Sequence, residues 1–146
     1  VAAAFSGSID FGGAPLTAAG ASDLAVARLD AAGNLLWAHS FGGAGADLSL
    51  LDVLAAPNGD AVITGLISGS VDFGGGPVSD AGGFPRFVLK LDSAGAFAWN
   101  RSIAGVAKTA ADPCGAVLLA SEDVSFDVGN GPLINQPSVA VAALAP

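Results

Sequence analysis

The chain contains Ser6-Gly-Ser-Ile-Asp-Phe-Gly-Gly-Ala-Pro-Leu16 and, further on, Ser68-Gly-Ser-Val-Asp-Phe-Gly-Gly-Gly-Pro-Val78. A degraded third copy of this box is Phe126-Asp-Val-Gly-Asn-Gly-Pro-Leu133. The shared aspartates are Asp10, Asp72 and Asp127, and the two intervals between them are similar in length. Intervals in this range are typical of a chain built from one supersecondary unit used in tandem. The sequence therefore predicts a repeat architecture.

The likeness between units extends well beyond this box. Three further pairs of segments match: Leu24–Asp30 with Arg86–Asp92, Asn34–Phe41 with Ala96–Ile103, and, more loosely, Ala56–Thr64 with Asp112–Ala120. The first two pairs keep the same offset as Asp10 and Asp72, so the unit is longer than the box alone.

Each unit is predicted to contain four short strands. In the second unit they are expected at Leu50–Ala55, Asp60–Ile67, Arg86–Leu91 and Ala96–Ile103. Asn-Gly between two apolar runs, as at Pro57–Gly59, is a strong hairpin signal, and Asp92–Gly95 is a second turn. A Gly-rich connection carries the box between the second and third strands. The best helical candidate is Leu48–Ala56, because elsewhere glycine interrupts any apolar stripe of helical period.

These strands predict an all-β fold of tandem four-stranded antiparallel sheets, which resemble β-propeller blades. We expect a single repeat-built domain over residues 1–146, with units at approximately 1–41 (partial), 48–103 and 106–146 (partial and divergent). Val1–Phe5 is predicted to be a second strand and Val139–Leu144 a third strand. The total is about ten strands, or two and a half blades, whereas the smallest closed ring needs roughly four blades. Either the chain is part of a longer propeller or several copies complete the ring.

Composition excludes some classes of partner. The chain of 146 residues carries a net charge of −8, which disfavours nucleic acid and anionic membrane surfaces. Hydrophobic residues make up 52% of it, yet no apolar run approaches the roughly 20 residues that a membrane helix needs. Cys114 is the only cysteine, so no intrachain disulfide is possible, and a buried thiol is the commonest state for such a residue. A first residue Val1 and the lack of Met indicate a processed or excerpted segment.

Three aspartates, Asp10, Asp72 and Asp127, occupy one position of the repeat. A ring of such carboxylates could hold Ca²⁺, whose ligands are oxygens. Alternatively, each carboxylate closes a turn by accepting hydrogen bonds from its own backbone, next to glycines that permit unusual dihedral angles. We favour the second interpretation because the ligand spacing of a calcium loop is missing. The same holds for the turns at Asp30, Asp92 and Asn58–Asp60, so no metal or cofactor is expected.

The remaining polar and aromatic candidates do not form a catalytic pattern. His39 is the only histidine; its counterpart is Arg101, which predicts an outward polar position rather than a zinc ligand. The chain has neither a Gly-x-Ser-x-Gly elbow nor a Gly-Lys-Ser/Thr phosphate loop, so we expect no catalytic residues and no enzyme activity. Trp37 and Trp99 are counterparts, as are Phe41 and Ile103. Aromatic residues at such positions are predicted to fill the core between units.

Several boxes in a fixed order carry a resemblance to a known family. They are Leu29–Trp37, Trp37–Asp47, Pro57–Gly65 and Ser68–Gly75. Together they resemble the bacterial SBBP repeats, β-propeller-type repeats of large secreted and surface proteins of myxobacteria and their relatives. The resemblance extends from about Phe5 to Ala120, is degraded at Ala104–Lys108, and implies no shared catalytic residues.

The sequence therefore predicts a non-enzymatic structural or binding module of a secreted or cell-surface protein, with a bacterial outer membrane as one such surface. Its partners are expected to be another protein, or additional copies or blades that complete the propeller, including a homo-oligomer. One alternative is a carbohydrate-binding or glycoside-processing propeller, which needs carboxylates within about 10 Å of each other. A second alternative is a self-assembling filament or lattice subunit that uses open sheet edges.

Overall fold

A computed structural model of the chain describes residues 1–79, 86–103, 108–111, 117–121 and 140–144. These residues contain fourteen strands and no helix, so the all-β prediction is confirmed. The strands are β1 (Ala2–Phe5), β2 (Ser8–Ile9), β3 (Leu16–Thr17), β4 (Asp23–Leu29), β5 (Leu35–Phe41), β6 (Asp47–Ala55), β7 (Ala61–Ser68), β8 (Ser70–Asp72), β9 (Pro77–Ser79), β10 (Arg86–Leu91), β11 (Phe97–Ile103), β12 (Lys108–Ala111), β13 (Val117–Ser121) and β14 (Ala140–Leu144).

The strands form three small antiparallel sheets and two hairpins. The second sheet has four strands in the order β11-β10-β7-β6, the first has the order β1-β4-β5, and the third has the order β12-β13-β14. The hairpins are β2–β3 and β8–β9. Register supports the repeat, because Val26 lies opposite His39 and Val88 lies opposite Arg101, at equivalent positions of the two units. The three sheets contain three, four and three strands in the described residues, which matches the predicted total of about ten, and the two hairpins add four short strands that were not predicted.

The strand expected at Leu50–Ala55 is confirmed and is longer than predicted. Leu48–Ala56, the best helical candidate, is not a helix, because its residues up to Ala55 lie in β6, which pairs with β7 and has a bulge between Leu50 and Asp52. Interstrand hydrogen bonds and burial of Leu48 override the local preference of leucine and alanine for helix. The Gly-rich connection is also more ordered than predicted, because the box folds into the hairpin β8–β9.

The hydrophobic core lies between the first and second sheets. Leu24 and Val26 of β4 pack in one cluster with side chains of the second sheet and of the box hairpin, namely Leu48, Ile63, Ile67, Val71, Phe73, Phe87, Leu89 and Leu91. Phe73, the aromatic residue of the repeated box, lies 4.8 Å from Phe87 and 5.6 Å from Phe41, measured between ring centroids. The box thus contributes a core side chain as well as a turn.

The central strands of the first two sheets are buried on both faces. In β10, Phe87 and Leu89 point into the shared core, while Val88 and Lys90 alternate with them and are also buried. Successive strand residues point to opposite faces, so consecutive burial means that both faces of the second sheet are covered. Each sheet is therefore stabilised by stacking rather than by a core of its own.

Candidate functional site

The repeated aspartates of the box close hairpin turns. Asp10 Oδ1 accepts hydrogen bonds from the backbone N–H groups of Gly12 (2.7 Å) and Gly13 (3.1 Å). Asp72 Oδ1 accepts them from Gly74 (2.7 Å) and Gly76 (3.0 Å). The expected turn-closing role is confirmed at both positions, while Asp127 lies outside the described residues. Each of these two carboxylates accepts its hydrogen bonds within a separate hairpin.

A second pair of aspartates organises two equivalent turns, one between β4 and β5 and the other between β10 and β11. Asp30 Oδ1 accepts from the N–H groups of Ala32 and Asn34, both at 2.8 Å, and Asp92 Oδ1 accepts from Ala94 and Ala96 at 2.9 and 2.8 Å. Asn34 Nδ2 also donates to Asp30 Oδ2 at 2.8 Å. This side-chain hydrogen bond, followed by backbone donors, lowers the pKa of the Asp30 carboxyl. The two turns have the same hydrogen bonds, and in each of them the aspartate accepts only from residues of its own turn.

Asp60, in the turn between β6 and β7, forms a buried ion pair with Lys90 of β10 that the sequence did not predict. Lys90 Nζ lies 3.2 Å from Asp60 Oδ2, and the two side chains are only 4% and 14% exposed. Asn58 Nδ2 donates to the same carboxylate oxygen at 2.8 Å. The predicted turn residues Asn58 and Asp60 therefore also hold the ammonium group of Lys90 in place within the second sheet.

Asp23 is a further carboxylate that the sequence did not single out. It is 2% exposed, and it accepts from the N–H groups of Ala19 (2.8 Å) and Gly20 (3.2 Å). Gly42 lies so close to the carboxylate that a Cβ at this position would overlap it. In the sequence, the Gly-Gly pair after Phe41 is the one sign of this contact, because a residue without a side chain lets the carboxylate approach the backbone closely.

Arg28 and Trp37 of the first sheet bind two turns of the second sheet. Arg28 Nη1 donates to the carbonyl oxygens of Ser93 (2.6 Å) and Gly59 (3.1 Å), and Trp37 Nε1 donates to Ser93 O at 3.2 Å. Near these contacts lies an open cleft of about 470 Å³, lined largely by apolar groups that include Val53. The polar side chains that line the cleft, those of Arg28, Trp37 and Asp60, already have protein partners, so its free lining is largely apolar.

His39 and Trp37 pack together at this interface, and their counterparts Arg101 and Trp99 lie on β11 of the second sheet. His39 is half-buried rather than outward-facing, because its ring stacks on Trp37 with centroids 5.5 Å apart and an interplanar angle of 28°. Its counterpart Arg101 remains exposed, with Cζ 5.9 Å from the centroid of Trp99. Trp37 packs against the core, as predicted. The Nε1 atom of Trp99 is buried and has no hydrogen-bond partner among the described residues.

Metal ligands do not converge in the described part of the chain. Within it, no group of three or more His, Cys, Asp and Glu side chains could hold a metal ion. Cys114 lies outside the described residues. Over the same described ranges, no helix has the length and apolar character needed to cross a membrane.

Comparison of the chain with protein-family models, with curated proteins and with solved structures finds no match.

Proposed function

We propose that this protein is a non-enzymatic structural or binding module of a bacterial β-propeller-repeat protein, which acts through protein–protein contact or self-association. The resemblance of its boxes to SBBP repeats supports a propeller-type arrangement and a secreted or cell-surface location. The stacking of the first two sheets supports the same arrangement, because such units are stabilised by their neighbours.

The observation that carries this proposal is the exposed edge of the second sheet. In the described residues β7 is the one strand that pairs with β6. The backbone of Ser22 contacts the other edge of β6 at its first two residues, Asp47 and Leu48, and the rest of that edge has no strand partner in this part of the chain. Leu51 and Val53 on β6 are 51% and 40% exposed. An edge strand with exposed apolar side chains is a template for another polypeptide. The nearby cleft, which Val53 also lines, extends this apolar surface.

The polar residues support a binding role rather than catalysis. The carboxylates of Asp10, Asp30, Asp72 and Asp92 each accept hydrogen bonds within their own turn. Asp60 holds Lys90, and Asp23 is buried against backbone donors. These carboxylates have structural tasks. The carbohydrate-processing alternative would need a pair of carboxylates directed at a shared substrate, and Asp10 and Asp72 belong to different hairpins.

Light scattering combined with size-exclusion chromatography tests the proposal. We expect the purified chain to form species heavier than 14.0 kDa as its concentration rises, or to form a stable complex with a protein partner. Replacing Leu51 and Val53 together by lysine should weaken that association. Ser49→Lys is the matched control, because Ser49 is exposed on the same strand and is not apolar.

A single 14.0 kDa species at every concentration, with no protein partner bound, would contradict the proposal. Equal weakening by the Ser49→Lys control would show that charge, not loss of apolar surface, is responsible. Open-ended growth with concentration would favour the filament or lattice alternative, whereas a closed oligomer of fixed mass would favour a completed ring.

A further inference from the structure

The cleft between the first two sheets continues their shared core. It has a volume of about 470 Å³, and Val26 of β4, Trp37 of β5 and Val53 of β6 contribute to its lining. Val53 lies opposite Ile63, a core residue, so its side chain is on the face of the second sheet that packs on the first. Val53 is nevertheless 40% exposed. Sites for small molecules commonly have volumes of about 300–1,000 Å³, so the size of this cleft suits such a ligand.

Arg28 is the one basic side chain among the described residues that line the cleft. It is half-buried, and its Nη1 atom donates to the carbonyl oxygens of Gly59 at 3.1 Å and Ser93 at 2.6 Å. A guanidinium group has five N–H donors, and those on Nη2 and Nε have no hydrogen-bond partner in the described part of the chain. Within the same ranges no carboxylate lies at ion-pair distance from Arg28.

The charge of Arg28 is not compensated in the way that the charge of its counterpart is. Lys90 occupies the equivalent position of the second unit, and its Nζ lies 3.2 Å from Asp60 Oδ2. Asp60 also lines the cleft, but its own charge is offset by Lys90. A partly buried ion is unfavourable without a partner of opposite charge. In a chain of net charge −8, this cleft thus presents a positive side-chain charge next to apolar surface.

We propose that the cleft binds a small molecule with an apolar body and one carboxylate group. The body packs against Trp37, Val26 and Val53, and the carboxylate accepts hydrogen bonds from Nη2 and Nε of Arg28. Two adjacent guanidinium donors match the two oxygens of a carboxylate, and such charge-assisted pairs are among the stronger hydrogen bonds. This site goes beyond the proposed function, which needs only contact with a protein at β6.

Titration calorimetry of the unchanged chain with octanoate, octanol and acetate tests this assignment. We expect octanoate to bind about tenfold more tightly than octanol, which has the same chain without the charge. Acetate, which has the charge without the chain, should also bind more weakly than octanoate. In Trp99→Phe, Trp37 is the remaining tryptophan, so a saturable change in its fluorescence with octanoate places the ligand in the cleft.

Two variants separate the charge from the apolar surface. Val53→Asp places a negative charge in the cleft and should weaken octanoate binding about fivefold. Ser49→Asp is the matched control, because Ser49 is exposed on the same strand and does not line the cleft. Arg28→Met should lower the affinity for octanoate about tenfold and leave the affinity for octanol unchanged. If Arg28→Met also loses octanol binding, the cleft itself has changed, and Val53→Asp decides the assignment.

Equal affinity for octanoate and octanol would overturn the proposal, as would the lack of a saturable change in Trp37 fluorescence. Equal weakening of octanoate binding by Val53→Asp and Ser49→Asp would do the same, because the ligand would then not lie in the cleft. Replacing Leu51 and Val53 together by lysine should weaken protein association but strengthen octanoate binding, since it adds positive charge at the cleft. Either proposal can therefore fail while the other survives.

Discussion

Gly42 lies directly against the buried carboxylate of Asp23, and no side chain larger than hydrogen fits between them. The carboxylate is fixed there by the N–H groups of Ala19 and Gly20. Ser22, next to it, is bridged to Asp47, and its carbonyl accepts from Leu48 N at 2.9 Å, which links the first sheet to the start of β6. The Gly42 contact therefore lies where the first two sheets are joined through their backbones.

We expect Gly42→Ala to destabilise the protein by about 3 kcal/mol, because the new methyl group must displace a buried, hydrogen-bonded carboxylate or move the backbone. Urea denaturation measures the free energy of unfolding of the variant. Gly45→Ala is the matched control in the same loop, because nothing lies near a Cβ at Gly45, and its effect should be within about 0.5 kcal/mol. Equal losses in the two variants would contradict the role given to Asp23.

Asn34→Ala should raise the pKa of Asp30 towards its ordinary value, because it removes the largest cause of the lowered pKa. A lowered pKa in the folded state means that the ionised carboxylate stabilises the fold at neutral pH. This stabilisation is lost as the pH falls below about 4 and through the pKa of the folded state. NMR titration of the Asp30 carboxyl measures the shift, and Asn100→Ala on β11 is the control. An unchanged Asp30 titration in Asn34→Ala would contradict the assigned cause.

The sequence predicted the features that depend on local chemistry or on the repeat. The turn at Asp30 and the one at Asp92 follow from residues close to each aspartate in the chain. The bounds of β10, Arg86–Leu91, match the prediction because Asp92 fixes the end of the strand. Because the segments of β4 and β5 match those of β10 and β11 one repeat later, the repeat predicted both pairs of strands together.

What the sequence did not predict depends on contacts between distant residues. Asp23 and Gly42 are far apart in the chain, and the counterpart of Asp23 one unit later is Pro85, so the repeat gave no signal. Lys90 and Asp60 are also distant in sequence, and Arg28, the counterpart of Lys90, bonds to carbonyl groups instead. The hairpin β8–β9 was missed because its strands are too short to show a hydrophobic period.

Asp60→Ala should destabilise the protein by about 3 kcal/mol, because it leaves the charge of Lys90 buried without this carboxylate. The double variant Asp60→Ala, Lys90→Met should recover most of that loss, since no buried charge remains. Urea denaturation of both single variants and the double variant gives the coupling energy. Asp52→Ala is the control, because Asp52 is exposed and bonds Thr109 at 2.9 Å; it should cost less than about 1 kcal/mol. Additive losses would show that Asp60 and Lys90 act independently.

Arg28→Met should loosen the first sheet from the second, because Arg28 binds two carbonyl groups of the second sheet, at Gly59 and Ser93. We expect a loss of about 2 kcal/mol, as is typical for hydrogen bonds from a charged donor. Amide hydrogen exchange should quicken more in β4 than in β10, since β10 keeps its partners β7 and β11.

Arg101→Met is the matched control for this variant, because Arg101 is exposed and its Nη1 donates to the neighbouring Asn100 carbonyl rather than to another sheet. Its effect should be within about 0.5 kcal/mol. If both arginine variants lost the same stability, the Arg28 contacts would not be what joins the two sheets. If Arg28→Met quickened exchange equally in β4 and β10, the sheets would open as one unit. Stacking of neighbouring units would then be too strong for a single contact to separate them.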